Sequence, residues 1–141
     1  MNFSVSTIIL TSIVACAVLI YFPYLFVAYA RFQVGMDMSA PRALFDKLPD
    51  YGRRATWAHQ NAFESFMIFT AAAFMAYITG VNSPLASQAA IAHVMARFFY
   101  SLCYIFNIPI GRSLMFGVGS FSSGILFYLS IIQANSHILN P

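Results

Sequence analysis

The ionisable residues of this 141-residue chain are few and tightly grouped, and that grouping constrains its fold more than any other feature. Seven Lys/Arg and four Asp/Glu make up 8% of the sequence, where an ordinary soluble domain carries about a quarter. No charge occurs in residues 1–30, eight fall between Arg31 and Arg54, none lies between Glu64 and Arg97, and none follows Arg112. A soluble globule has to cover its surface with polar groups, and a composition that is 60% apolar leaves too few. The same apolar content excludes a disordered chain. The net charge of +3 comes from scarce acids rather than from a basic patch, so no nucleic-acid footprint is present.

A helix needs roughly 20 apolar residues to cross a bilayer core of about 30 Å. The uncharged stretches supply four crossings, at about 5–29, 55–79, 85–107 and 114–135. The reading is an all-α membrane protein, four transmembrane helices in an antiparallel bundle, with one domain over residues 1–141. The first span is not a cleaved signal peptide, because it lacks a basic start and its apolar run reaches Ala30. Lys and Arg favour cytoplasmic loops. The first loop holds Arg31, Arg42, Lys47, Arg53 and Arg54, the third holds Arg112, and the second holds none. Loops one and three are therefore expected in the cytoplasm, with both termini on the opposite side.

Local punctuation fits these spans. Ser83-Pro84 reads as an N-cap followed by proline at the first helical position. Pro109 and Gly111 break the chain after span three, and Ser39-Ala40-Pro41 is expected to open a short helix in the first loop. Pro23 is expected to kink span one. Gly119, Ser120, Ser123 and Gly124 give span four a small-residue face for close helix approach. Cys16 and Cys103 fall inside spans, lack metal-ligand spacing, and read as small apolar side chains.

Two charges lie within the spans, Glu64 and Arg97. Charges in hydrocarbon are costly and tend to mark function. At about 1.5 Å per residue, Glu64 is roughly 13 Å and Arg97 roughly 16 Å from the cytoplasmic ends of their helices. Antiparallel packing would bring them to one level, where a direct pair is expected. Each lies on a polar stripe: Arg54, Trp57, Asn61 and Glu64 on span two, and His93, Arg97, Tyr100 and Tyr104 on span three. The expectation is a polar cleft, with Asn61 and Tyr104 nearer the cytoplasm and Arg54 and Arg112 at its mouth. Such a cleft suits a polar anionic small molecule. Taken singly, the same residues have plainer roles: a structural ion pair, a cross-helix amide, and packing histidines at His59 and His93. No His, Cys and carboxylate set has metal spacing.

The run Arg54-Ala55-Thr56-Trp57-Ala58-His59-Gln60-Asn61-Ala62-Phe63-Glu64 resembles the span-two signature of the MAPEG family, the membrane-associated proteins in eicosanoid and glutathione metabolism. Arg97, Tyr100, Tyr104 and the later Arg112-Ser113 resemble its span-three pattern. The likeness covers nearly the whole chain and is closest to a small bacterial branch. It implies a homotrimer in the bacterial inner membrane that binds glutathione as co-substrate between subunits near the cytoplasmic face, without a metal. It implies an enzyme, a transferase or peroxidase, acting on lipophilic electrophiles or lipid hydroperoxides from the bilayer, with membrane lipid around it. Position by position, the resemblance places Arg54, Asn61, Glu64, Arg97, Tyr100 and Tyr104 around glutathione and Arg112 beside its thiol, with His59, Arg31 and Arg53 as additional contacts.

A thiol is mostly protonated at neutral pH, the thiolate is the nucleophile, and a nearby guanidinium favours it. Two positions depart from the family pattern: Trp57 stands where several active members carry an arginine, and Ser65 where glutathione-using members often carry tyrosine. The alternative is therefore a non-catalytic lipid-binding or scaffold protein on the same fold. A small multidrug-type exporter would place its membrane glutamate in the first span, which has none here.

Overall fold

The computed structural model describes residues 3–139, with side-chain surroundings for residues 3–136. The expected sidedness of the termini concerns chain ends that fall outside the described residues. The described residues form four α-helices: α1 (Val5–Gln33), α2 (Asp50–Ile78), α3 (Pro84–Ile105) and α4 (Pro109–Leu139). No strand occurs among the described residues.

Helix α1 starts where Ser4 Oγ accepts the Thr7 N–H at 3.2 Å. Its buried residues Ile9, Ser12, Cys16, Ile20, Pro23, Val27 and Ala30 recur every three or four positions and form one face. The opposite face, with Leu10, Val14, Val18, Tyr21, Leu25 and Tyr29, is apolar yet exposed. A helix apolar all round has to be covered by protein or lipid, and no protein covers this face within the chain. Pro23 sits buried within one continuous helix.

Three helices are long and apolar enough to cross a membrane: Val5–Gln33, Asp50–Ile78 and the Pro109–Ser136 part of α4. At about 1.5 Å per residue, the 22 residues of α3 reach roughly 33 Å, also enough for the hydrocarbon core. What sets α3 apart is the buried face that carries His93 and Arg97.

Tight turns join α2 to α3 and α3 to α4, while α1 and α2 are joined by the first loop. Helix α2 ends with Gly80 in the left-handed region at φ 69°, with Gly80 N–H donating to Tyr77 O and Val81 N–H to Ala76 O. Helix α3 ends the same way with Asn107 at φ 57°; Asn107 N–H donates to Tyr104 O and Ile108 N–H to Cys103 O. Both are Schellman caps, which satisfy carbonyls that a helix end would otherwise leave bare. Ser83 Oγ accepts the Leu85 N–H at 3.2 Å ahead of Pro84, the start that the sequence signals.

Helices α2 and α3 sit at the centre, each touching both α1 and α4. Their contact surfaces are alanine-rich: Ala72, Ala73 and Ala76 face Ala86, Ala89 and Ala90 in a core closed by Ile9, Phe69 and Leu126. Small side chains bring helix backbones close, which is how bundles in lipid gain packing. Helices α1 and α2 also approach closely at Gly52, where a Cβ would lie 2.6 Å from the Ala30 Cβ.

Three local expectations need correction. The segment after Ser39 forms hydrogen-bonded turns, pinned by Asp37 Oδ1 accepting from Ser39 and Ala40 N–H, and the short 3-10 helix comes later at Phe45–Lys47. Helix α2 begins at Asp50 rather than near 55, so Arg53 and Arg54 are helical, not loop, residues. Helix α4 begins at Pro109 rather than near 114, which puts Arg112 in its first turn. Charge density marked where the apolar run stopped, whereas helices extend to their caps and take the charged residues along.

Candidate functional site

The stripes of α2 and α3 meet at one polar pocket. Asn61 is its hub: Asn61 Oδ1 accepts from Arg97 Nη2 at 2.9 Å, and Asn61 Nδ2 donates to Glu64 Oε2 at 3.3 Å. The expected direct Glu64–Arg97 pair is therefore replaced by a relay through an amide. The only ion pair among the described residues is Arg53–Asp50, within the first turn of α2. An amide can donate to the carboxylate and accept from the guanidinium at once, so it suits the gap between the two helices.

Arg97 itself is buried, only 6% exposed, and lies over the Tyr100 ring at 4.2 Å. The Tyr100 and Tyr104 rings meet edge-on at 5.6 Å, and Arg112 sits over Tyr104 at 4.7 Å. A ladder of two rings with a cation at each end thus runs from the bundle interior to the turn between α3 and α4. Cation–π contacts are worth about 0.5–1 kcal/mol when exposed and about 2 kcal/mol or more when desolvated. The inner rung is the stronger.

Trp57, Gln60, Asn61, Glu64, Tyr100 and Tyr104 line an open hollow of about 430 Å³ on the side of the bundle. Glu64 is exposed in the single chain, so its carboxylate is free to accept from a bound donor. A neighbouring groove of about 350 Å³ shares Asn61 and Glu64 and continues between α2 and α4 past Ser65, Ile68 and Phe127. The hollow is thus polar and aromatic, and it opens into the more apolar groove.

Four of the residues expected to line the pocket, Asn61, Glu64, Tyr100 and Tyr104, do so directly. Arg97 reaches it through Asn61. Arg112 stands over the outer ring. Arg54 does not line it: its Nε donates to Ile105 O at 3.0 Å, tying α2 to the end of α3. The remaining three face elsewhere. Arg53 is held by Asp50. His59 Nδ1 bonds Ile20 O of α1 at 2.8 Å. Arg31 and His59 line a separate cavity of about 640 Å³ under the first loop, with Arg42 and Phe45. Helical spacing explains the split, since His59 is two positions from Asn61 and points to another side of α2.

Sequence reading missed Gln60, which lines both the hollow and the cavity under the first loop but, as an ordinary polar helix residue, carries no motif signal. His93 has the packing role expected of it: it is fully buried, stacks on Phe69 at 4.0 Å and bonds Gly119 O at 2.9 Å.

No group of three or more metal-ligating side chains occurs among the described residues. No curated protein matches the chain. The model of the MAPEG family matches residues 8–132. The chain belongs to the MAPEG family. The match spans all of α2 and α3, and so every residue of the polar pocket. MAPEG proteins are membrane proteins whose functions are generally glutathione-related, including transferase and peroxidase activities, and they generally work on lipophilic substrates as oligomers. Seen against that background, Trp57 is a lining residue of the pocket in this MAPEG chain, 44% exposed and packed against Phe45 of the first loop at 5.9 Å.

Proposed function

We propose that this chain is a glutathione-dependent membrane transferase or peroxidase acting on lipophilic electrophiles or lipid hydroperoxides. The observation that carries the reading is the Arg97–Asn61–Glu64 relay joined to the Arg112–Tyr104 rung in one pocket of a MAPEG chain. Glutathione offers an ammonium to the Glu64 carboxylate and peptide groups to Asn61, while Tyr100 and Tyr104 wall the pocket. Arg112 stands where a guanidinium favours the thiolate, and the thiolate then attacks the electrophile or the peroxide oxygen.

In this reading α3 also crosses the bilayer, giving four spans in the inner membrane with loops one and three in the cytoplasm. A homotrimer closes the pocket. A carboxylate at mid-helix that faces lipid is costly, and a neighbouring subunit covers Glu64. The cavity under the first loop, with Arg31 and His59, belongs to the same interface and contributes additional contacts from the neighbour.

The second reading, a non-catalytic lipid-binding protein, is favoured by one observation: Trp57 adds an apolar ring where several active relatives place an arginine. Calorimetric titration of glutathione into the protein in nanodiscs separates the two. Saturable binding that falls at least tenfold in Glu64→Gln and Asn61→Ala supports the enzyme. Absence of glutathione binding, with retained binding of a fatty-acyl probe, supports the lipid-binding protein.

A further inference from the structure

We infer that the bundle holds a single bound water molecule in the cavity between α1, α2 and α3, hydrogen-bonded to Nε2 of His93. His93 is 1% exposed. Its Nδ1 lies 2.9 Å from Gly119 O, an atom that only accepts, so Nδ1 carries the proton. Ser123 Oγ stands 3.2 Å from the same nitrogen. Phe69 stacks on the ring with planes 10° apart, which prevents the imidazole from turning over to exchange its two ends.

That arrangement fixes Nε2 of the neutral ring as a buried acceptor, and it has no hydrogen-bond partner among the described residues. Buried acceptors in native proteins almost always have a donor, protein or water. Beside the ring is a cavity of about 10 Å³ lined in part by Cys16, Arg97 and Ser101. One water needs about 10–15 Å³ of such space and two to four polar partners. The volume therefore admits one water and nothing larger. The lining supplies the polar partners. Arg97, one turn from His93 on α3, lines the cavity and gives Nη2 to Asn61, and its guanidinium has further donors that a water can accept. The Cys16 thiol offers a weak donor and acceptor on the α1 side. A water here ties α1 to α3 beside Arg97, behind the Arg97–Asn61 bond. The inference does not depend on glutathione binding.

The test is solid-state NMR of the full-length protein in lipid nanodiscs with nitrogen-15 histidine, the His93 signals being assigned by their loss in His93→Asn. The expected result is a ring protonated at Nδ1, with an unprotonated, hydrogen-bonded Nε2 that receives magnetisation from water protons. The bond should persist in Cys16→Ala, which enlarges the cavity and removes the thiol. An Nε2 shift typical of a free acceptor would mean an empty cavity and overturn the inference. So would a proton on Nε2, or a hydrogen bond that disappears in Cys16→Ala, which would make the thiol the donor. Should Cys16→Ala fail to fold, transfer from water protons in the unaltered protein decides the question alone, since a thiol donor or an empty cavity gives none.

Discussion

The two ends of the bundle are packed on opposite plans. Away from the first loop, Ala72, Ala73, Ala76, Ala86, Ala89 and Ala90 bring α2 and α3 together, with Ile9 and Leu126 sealing the sides. Toward the first loop, the same two helices carry Asn61, Glu64, Arg97, Tyr100 and Tyr104 and border an open hollow of about 430 Å³. Small side chains let backbones meet and leave no room for a ligand. Large polar ones hold the helices apart and stay mutually bonded while leaving space. The alanine end is thus the clamp and the polar end the jaw. Phe69 joins them, part of the alanine core on one side and stacked on His93 on the other.

The contrast is broken most severely at Arg97. Arg97→Leu leaves Asn61 without its cation and Glu64 without its relay, and losing a buried hydrogen bond to a charged group costs about 1.5–3 kcal/mol. Thermal unfolding in detergent should show that loss, together with abolished glutathione binding. A change under about 1 kcal/mol would show that the jaw does not depend on this hub.

Overfilling the clamp gives a different signature. Ala89→Leu inserts a bulky side chain at a site 4% exposed, and overpacking of this kind costs about 1–3 kcal/mol. Unfolding should move while glutathione affinity of the folded protein stays within about twofold. A large affinity change would mean that the two ends are not separable.

Arg112→Ala sharpens the comparison within the jaw itself. Arg112 sits over Tyr104 at the half-exposed end of the ladder, so its stability contribution is about 0.5–1 kcal/mol. Its predicted effect on chemistry is far larger, because without the guanidinium the bound thiol is only a few per cent ionised at neutral pH. A turnover assay with a model electrophile should fall by at least tenfold while the unfolding temperature barely moves.

The smallest effect is expected at the turn between α3 and α4. Asn107 adopts φ 57°, a conformation that glycine accepts freely and β-branched residues resist. Asn107→Gly should leave stability within about 0.5 kcal/mol, and Asn107→Val should cost about 1–2 kcal/mol. Equal unfolding temperatures for the two would show that the cap does not set the α3–α4 hairpin.

Much of this was legible in the sequence because lipid exposure writes itself into charge placement. The four long charge-poor stretches correspond to four helices, and the Asn61–Glu64 and Tyr100–Tyr104 spacings put those side chains on facing stripes. Three things were not legible, each for a physical reason. Helix starts at Asp50 and Pro109 follow the first backbone hydrogen bonds, to Pro49 O and Ile108 O, rather than hydropathy. The amide bridge between Arg97 and Glu64 depends on the gap between two helices, which no single-helix pattern encodes. The separation of His59 and Arg31 from the polar pocket depends on which side of α2 faces α1, a matter of tertiary packing.

The most direct test of the central claim is a glutathione titration of the protein in nanodiscs, followed by ultraviolet absorbance of the thiolate, with ophthalmic acid as the thiol-free control. The account predicts a saturable thiolate signal at neutral pH that ophthalmic acid displaces and that Arg112→Ala loses. Glutathione that binds without any thiolate signal, or a signal unchanged in Arg112→Ala, would contradict it.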